Sequence, residues 1–344
     1  MDTEFEKNLH KHGDSLDRLV SIDIHHRGVV HELYRSAREL EEGPLTSTAA
    51  LALYRRVKPR RPVFFLAGFP SMTWLFEGIG ETDGPAGSAV LARVLEQTKQ
   101  AIPVIITAKP YMAIMEAALQ AAGLVVTDLR TAMFSKQDED SAPVAAVQSF
   151  PTNLEEAAAE AERLFRDYEP AAVVAVEMPG RGKDGNYHSF KGRIIPAHMV
   201  AQGEVLFAYA RMKRILTIGF GDGGNELGMG KLASTTSRVV PHGEKISCVT
   251  PADITVVASI SNWGAYAVAA VLAVAERQPR VFQDIDIPRI IERIVDAGGV
   301  DGRTNRPVLK EDGVSLSSTR SVCRLIHDLL SNGERAGQSF QTAD

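Results

Sequence analysis

The sequence predicts an α/β protein with a mainly parallel, doubly wound sheet flanked by helices. Two observations support this class. From residue 62 onward, apolar runs of strand length alternate with longer helical patterns, which is typical of βαβ units. Glycine-rich turns follow several of these runs, where the strands of such a sheet would end. With 344 residues, the chain is long enough for one large α/β domain or for two α/β halves.

The elements before residue 132 form two groups. Residues 1–60 are predicted to be a helical segment packed on the core or on a partner subunit, with helices at 3–20 and 29–42. Residues 61–131 are predicted to be the first α/β half. Its strands are expected at 63–66, 104–107 and 124–126, and its helices at 87–100 and 110–121.

The polar residues 132–143 predict a loop or a boundary between the halves. The second half is predicted to cover 144–331 and to carry the glycine-rich site. Its strands are expected at 144–147, 171–176, 215–218 and 254–259, and its helices at 153–166, 197–210 and 262–277. Residues 332–344 are polar, which predicts a disordered tail.

The composition is that of an ordinary globular enzyme, with 24% charged residues, 44% hydrophobic residues and a net charge of -5. This balance predicts no nucleic-acid partner. The longest apolar stretch, 265–275, is well short of the roughly 20 residues that span a bilayer, so no membrane association is expected. The polar N-terminus and the two cysteines, which indicate no disulfide framework, favour a cytoplasmic protein.

The strongest functional signal follows the strand at 215–218, which is predicted to end at Gly219. Residues 221–230 read Gly-Asp-Gly-Gly-Asn-Glu-Leu-Gly-Met-Gly. Glycines permit positive φ and let a ligand approach the backbone. The oxygen donors of Asp222, Asn225 and Glu226 suit magnesium or manganese better than zinc. The structural alternative is a glycine-rich turn whose polar residues cap a helix.

Polar residues also follow two earlier strands. After the first strand, Thr82 or Asp83 is placed to cap a helix whose amides face an anion, although a simple capping turn explains the segment equally well. Glu177 follows the strand at 171–176, where a buried carboxylate would act as a metal ligand or as a base. Arg193, in the loop beyond, is a candidate bidentate clamp for a carboxylate, while a solvated loop is the alternative.

The strand at 254–259 precedes a third polar cluster. Ser261 or Asn262 is expected to cap the next helix, and Trp263 either walls a substrate pocket or fills the core. In a turn-rich segment further along, Asp301 either reaches the site or only forms the turn.

Several common enzyme classes are excluded. Residues 219–224 match Gly-x-Gly-x-x-Gly, but Asp222 and Glu226 would place negative charge against a dinucleotide pyrophosphate. The sequence has neither a Walker lysine-threonine pair nor a Gly-x-Ser-x-Gly elbow. These observations argue against NAD, P-loop and serine-hydrolase chemistry.

Taken in order, the motifs at 81–85, 177–180, 219–230 and 261–266 resemble those of the D-glutamate cyclase C-terminal domain family, over about residues 20–330. The resemblance implies an α/β hydro-lyase that converts D-glutamate to 5-oxo-D-proline and water with a divalent metal, Mg or Mn. In the eukaryotic cyclase this domain follows a separate N-terminal hydro-lyase-like domain, for which this chain has no room, so another small amino or carboxylic acid is an alternative substrate.

The implied chemistry suggests a role for each candidate residue. Asp222, Glu226 and Glu177 would hold the metal, which would polarise the γ-carboxyl group. Glu177 or Asp83 would take the ammonium proton. The other candidates would bind the substrate: Arg193 at the α-carboxylate, the amides of Gly223 and Gly224 at the oxyanion, and Asn225, Asn262, Trp263 and Thr82 around it.

Two other functions remain open at this point. Carboxylates at strand ends beside a glycine loop also suit a metal-dependent hydrolase of a small phosphoester or amide. A non-catalytic sensor of an acidic metabolite would need the same pocket without turnover. In every case the expected partner is a small acidic molecule, and a homodimer is expected because symmetric dimers are common.

Overall fold

The computed structural model describes residues 3–135 and 142–339. The apolar runs predicted as strands form the main sheet. The strands are β1 Pro62–Leu66, β2 Ile102–Thr107, β3 Val125–Thr127, β4 Val144–Ser149, β5 Ala172–Val176, β6 Tyr187–His188, β7 Ile194–Ile195, β8 Leu216–Gly221, β9 Ile254–Val257, β10 Lys310–Glu311 and β11 Val314–Ser315.

The main sheet has seven strands in the order β3-β4-β2-β1-β5-β8-β9, and every neighbouring pair is parallel. The predicted α/β class is therefore confirmed. Strand β4 lies between β3 and β2, so the two halves inferred from the sequence share one sheet. The chain first adds strands on one side of β1 and then crosses to β5 on the other side. This reversal makes a topological switch point, where parallel sheets commonly bind ligands.

Helices cover the sheet and its edges. They are α1 Thr3–Val20, α2 Val29–Glu39, α3 Leu45–Arg56, α4 Pro85–Lys99, α5 Met112–Ala121, α6 Leu129–Ser135, α7 Leu154–Tyr168, α8 Gly203–Met212, α9 Ala233–Val239, α10 Gly243–Ile246, α11 Ser261–Ala275, α12 Pro279–Gln283, α13 Ile287–Asp296 and α14 Leu316–Ser339. Among them no helix is long and apolar enough to cross a membrane, within the part of the chain that the structure describes.

Some boundaries differ from the sequence prediction. The N-terminal segment has a third helix, α3, which the sequence analysis missed. Helix α6 enters the predicted 132–143 loop, and residues 136–141 of that loop lie outside the described residues. Helix α14 continues to Ser339, past the predicted start of a disordered tail at residue 332, while residues 340–344 also lie outside the described part.

Strand β8 continues to Gly221, two residues beyond the predicted end at Gly219. The glycine at 221 belongs to the strand because the side chain of Glu226, from the next loop, packs against it. A Cβ atom at Gly221 would lie 2.8 Å from Oε2 of Glu226, because the loop folds this side chain back against the strand end. The first glycine of the motif therefore belongs to the sheet, and the loop begins at Asp222.

The N-terminal helices are attached to the sheet at its β9 edge. Helices α1 and α3 both pack against α11, which is buried along nearly its whole length. The backbone N–H of Ser259, just after β9, donates to the carbonyl oxygen of Val20 at 2.8 Å. This attachment directs the connection between α1 and α2, residues 21–28, towards the carboxyl ends of the strands.

Candidate active site

A pocket of about 360 Å³ opens above the carboxyl ends of β1, β5 and β8, beside the switch point. Four acidic side chains line it: Glu81, Glu177, Asp222 and Asp312. Arg27 lines the same pocket from the α1–α2 connection. The pocket therefore combines an acidic lining with a cation that comes from a distant part of the chain.

Glu177 occupies the first position after β5, as the sequence predicts. Its φ of 46° lies in the left-handed region, where a non-glycine residue is strained, and such strain clusters at functional sites. The hydroxyl of Ser261, at the start of α11, donates to Oε2 of Glu177 at 2.5 Å. Burial and the neighbouring carboxyls of Glu226 and Asp222 raise the pKa of Glu177 well above its usual value.

Glu226 shapes the glycine loop. Its side chain is fully buried, and its carboxylate accepts backbone N–H bonds from Asp222 at 2.9 Å, Gly223 at 2.7 Å and Gly224 at 2.6 Å. The amides of Gly223 and Gly224 thus donate to Glu226 and are not available as the oxyanion donors that the sequence analysis assigned. The predicted oxyanion role of these two amides is therefore wrong, because the Glu226 carboxylate in the same loop already accepts their hydrogen bonds.

Asp222 is the acidic residue that this loop presents to the pocket. Its Oδ2 atom lies 3.1 Å from Nη2 of Arg27. Burial and the nearby Asp312 raise the pKa of Asp222 well above its usual value, and Arg27 partly opposes that shift. Asp222 therefore has a fixed direction and a charged partner, as a ligand or a proton carrier in a pocket requires.

Asp312 and Glu81 complete the acidic lining, and neither was among the predicted site residues. Asp312 follows β10 and lies 3.0 Å from Nε2 of His25 and 3.5 Å from Nη2 of Arg27. Burial, together with Asp312 and Asp222, raises the pKa of the Glu81 carboxyl well above its usual value. The Glu81-Thr82-Asp83 motif was noticed in the sequence, but its pocket residue is the first of the three.

Glu311 explains how Asp312 reaches the pocket. Its buried carboxylate accepts hydrogen bonds from the amide of Asn262 at 2.8 Å, the hydroxyl of Tyr266 at 2.5 Å and the hydroxyl of Thr319 at 2.6 Å. These three bonds fix the β10–β11 turn against α11 and α14. Asp312, with a φ of 41°, is then the next residue along a firmly held backbone.

Thr82, Asp83, Asn262 and Trp263 lie behind the pocket and do not line it. Asp83 accepts the backbone N–H groups of Ser261 at 3.2 Å and Asn262 at 2.8 Å, and so caps α11. Asn262 in turn accepts from the amides at 84 and 87 at 2.9 and 2.7 Å, and so caps α4. Thr82 donates its hydroxyl to the carbonyl of residue 310, and the Trp263 ring is buried in the core. These four residues therefore support the fold and do not make the catalytic or substrate contacts that the sequence analysis predicted for them.

The remaining predicted residues have mixed positions. Asn225 lines the pocket but its amide donates to the carbonyl of His188 at 2.9 Å. Arg193 also lines the pocket, at its exposed rim, with its guanidinium 4.6 Å from the ring centre of Trp74. Asp301 is buried and accepts the backbone N–H of Thr304 at 2.8 Å, so it forms the turn and does not reach the site.

The predicted metal ligands do come together. Glu177, Asp222 and Glu226 each offer a carboxylate oxygen, and these oxygens lie within 4.8 Å of one another. Buried carboxylates this close repel one another when ionised, and a bound divalent cation would remove that repulsion. The hard oxygen donors therefore fit Mg or Mn. Glu226 is the weakest candidate of the three, because it already accepts three N–H bonds.

Comparison with known proteins identifies the family. The family model described as D-glutamate cyclase-like, C-terminal, matches residues 16–327. The chain belongs to this family. It is also 31% identical, over 266 residues, to the mitochondrial D-glutamate cyclase of Homo sapiens, a match that covers 75% of the chain. The same match covers 38% of the human protein, so the chain spans less than half the length of this D-glutamate cyclase.

Proposed function

We propose that the protein is a hydro-lyase of the D-glutamate cyclase type, which converts D-glutamate to 5-oxo-D-proline and water. The observation that carries this proposal is the pair of buried carboxyls with raised pKa, Glu177 and Asp222, in the pocket of a chain of this family. The human relative is named a D-glutamate cyclase, and the acidic lining of the pocket suits the ammonium group of an amino acid.

Lactam formation needs two proton movements. The substrate ammonium must lose one proton before its nitrogen attacks the γ-carboxyl carbon and a second as the amide forms, and the departing carboxylate oxygen must gain both protons to leave as water. The C–N bond forms, one C–O bond breaks, and the net charge of substrate and products is equal. Carboxyl groups with raised pKa suit both movements near neutral pH, since one can hold a proton while its neighbour accepts one.

Glu177 is our candidate for the group that accepts the amine proton. Ser261 holds one of its oxygens, and the acidic surroundings attract the substrate ammonium. Glu81, which lines the same pocket, is then a second carboxyl able to carry a proton. These assignments replace Asp83, which faces the start of α11 and not the pocket.

We further propose that Glu177 and Asp222 hold a divalent cation, Mg or Mn, with Glu226 behind them. When bound, such a cation would polarise the γ-carboxyl group as a Lewis acid. The protein's own part is to fix the direction of Asp222 through the Glu226-bonded loop and the direction of Glu177 through Ser261.

An NMR time course with D-glutamate, L-glutamate and 5-oxoproline, each with magnesium, manganese or a chelator, tests this function. We expect metal-dependent interconversion in the D series only. Asp222→Asn should lower turnover by about 100-fold or more and weaken manganese binding, as losses of charged site groups do. The matched control is Asp296→Asn, an exposed carboxylate on α13 whose side chain is 64% exposed, and it should behave as wild type. A folded, metal-bound wild-type protein that converts none of the three compounds would refute the proposal.

A further inference from the structure

Arg27 was not predicted from the sequence, and it has no role in the function proposed above. It lies in the α1–α2 connection, 195 residues from Asp222 in the chain, yet it lines the same pocket. The other basic side chains that line this pocket, those of Lys191, Arg193, His242 and Arg303, are exposed at its rim. The Arg27 side chain is only 21% exposed.

The guanidinium of Arg27 is held in place on two sides. Its Nη2 atom lies 3.1 Å from Asp222 and 3.5 Å from Asp312, and its central carbon lies 5.0 Å from the ring centre of Phe190. Among the described residues, the hydrogen bonds of this guanidinium all come from Nη2. Nε and Nη1 keep their N–H groups, which can donate charge-assisted hydrogen bonds to a carboxylate ligand.

The charges of the pocket limit where a carboxylate ligand can bind. Glu81, Glu177, Asp222 and Asp312 repel an anion over most of the lining, so a carboxylate is stable only beside a cation. Arg27 is the cation next to the candidate reacting groups, and a planar guanidinium already fixed by packing loses little side-chain entropy on binding. Arg193, in contrast, is exposed, and its side chain would lose more conformational entropy on binding a carboxylate.

We infer that Arg27, and not Arg193, binds the α-carboxylate of the substrate and so selects α-amino acids over amines that lack this group. The inference rests on the proposed function for the identity of the substrate. With the α-carboxylate at Arg27, the ammonium group remains for the acidic cluster around Glu177 and Asp222. The γ-carboxyl group would lie beside it, where the divalent cation proposed above would offset the repulsion.

The test compares two ligands that differ only in this carboxylate, 5-oxo-D-proline and 2-pyrrolidinone, by NMR titration of the wild type and of single variants. Arg27→Met should weaken binding of 5-oxo-D-proline by about 10- to 100-fold, the effect of losing a charged hydrogen-bonded pair, and should change binding of 2-pyrrolidinone less than about twofold. Arg27→Lys should keep part of the affinity, because it keeps the charge but loses the planar fork. Arg193→Met, the matched control, should change neither affinity more than about threefold.

Three results would overturn the inference. Equal weakening of both ligands by Arg27→Met would mean that Arg27 only supports Asp222 and Asp312. Loss of 5-oxo-D-proline binding in Arg193→Met but not in Arg27→Met would move the carboxylate to the rim. Loss of 5-oxo-D-proline binding by the wild type when a chelator is added would mean that a metal ion, and not Arg27, binds the carboxylate. Turnover of D-glutamate by the wild type is measured separately, so failure of the proposed function is distinguishable from failure of this inference.

Discussion

The three N–H bonds accepted by Glu226 lead to a prediction about stability that separates this residue from its neighbours. Glu226→Gln keeps the size of the side chain but leaves one carbonyl oxygen and one NH2 group. If the oxygen replaces Oε1, it still accepts from the amides of Asp222 and Gly223. The new NH2 group then faces the N–H of Gly224, formerly bonded at 2.6 Å, and a buried donor is left without an acceptor.

The magnitude follows from this count. A hydrogen bond to a charged group contributes about 1.5–3 kcal/mol, and an unpaired buried donor costs about 1–3 kcal/mol. Relief of repulsion with Asp222 and Glu177 acts in the opposite direction. That relief is limited, because Arg27 already partners Asp222 and the raised pKa of Glu177 favours its neutral form. We expect Glu226→Gln to lower the free energy of unfolding by about 2–4 kcal/mol.

Urea unfolding in the presence of a chelator measures this change, and Glu177→Gln is the matched control. At residue 177 a Gln oxygen still accepts the Ser261 hydroxyl, and a repelled carboxyl is removed, so we expect a gain of about 0.5–2 kcal/mol. The same substitution should thus have opposite signs at two neighbouring positions. A Glu226→Gln protein as stable as wild type would refute the view that this carboxylate shapes the loop.

Two further predictions concern the carboxyl pKa values and the helix caps. The folded pKa of Glu81 is raised above its ordinary value of 4.5, so its stabilising effect is complete below that pH and is lost as the pH rises through the folded pKa. The unfolding free energy of Glu81→Gln relative to wild type, measured in chelator, should therefore increase with pH above 4.5, and a pH-independent difference would contradict the shift. Asn262→Ala should cost about 2–4 kcal/mol of stability because the buried amide of Gly87 loses its acceptor, the amide of Gly84 keeps only Asp83, and Glu311 loses one of its donors. Asn153→Ala, which removes one exposed cap bond of 2.9 Å on α7, should cost about 1 kcal/mol, and equal costs by urea unfolding would argue against the double cap.

The sheet could be predicted from the sequence because its buried strands are continuous apolar runs that contrast with the amphipathic helices between them. Helix α3 could not, and its burial gives the reason. Residues from Leu45 to Leu53 are buried on several faces, including Thr46 and Ser47, so the helix lacks the polar stripe that reveals amphipathic periodicity. The end of β8 was misplaced for a different reason, since glycine gives no local signal for strand or turn.

The candidate site was partly predictable. Glu177 and Asp222 follow strand ends directly, Glu226 lies in the loop after Asp222, and parallel strands bring their carboxyl ends to one edge. Asp83 and Asn262 lie where the connections after β1 and β9 lead into helices. Helix caps need the same residue types at these places, and sequence alone does not separate a cap from a site residue. Arg27 reaches the pocket only through the packing of α1 and α3 on α11, which no local pattern encodes.

The acidic pocket and the caps beneath it form one arrangement with a functional consequence. Asp83 and Asn262 cap α11 and α4 reciprocally, and Glu311 fixes the adjoining turn, so the backbone around the pocket is held by hydrogen bonds that no ligand provides. That support lets Glu177 and Asp222 remain close together although their raised pKa values show that ionisation is unfavourable there. A ligand with a positive charge, whether an ammonium group or a divalent ion, removes the repulsion on binding. Part of its affinity therefore comes from strain that the fold maintains in its absence.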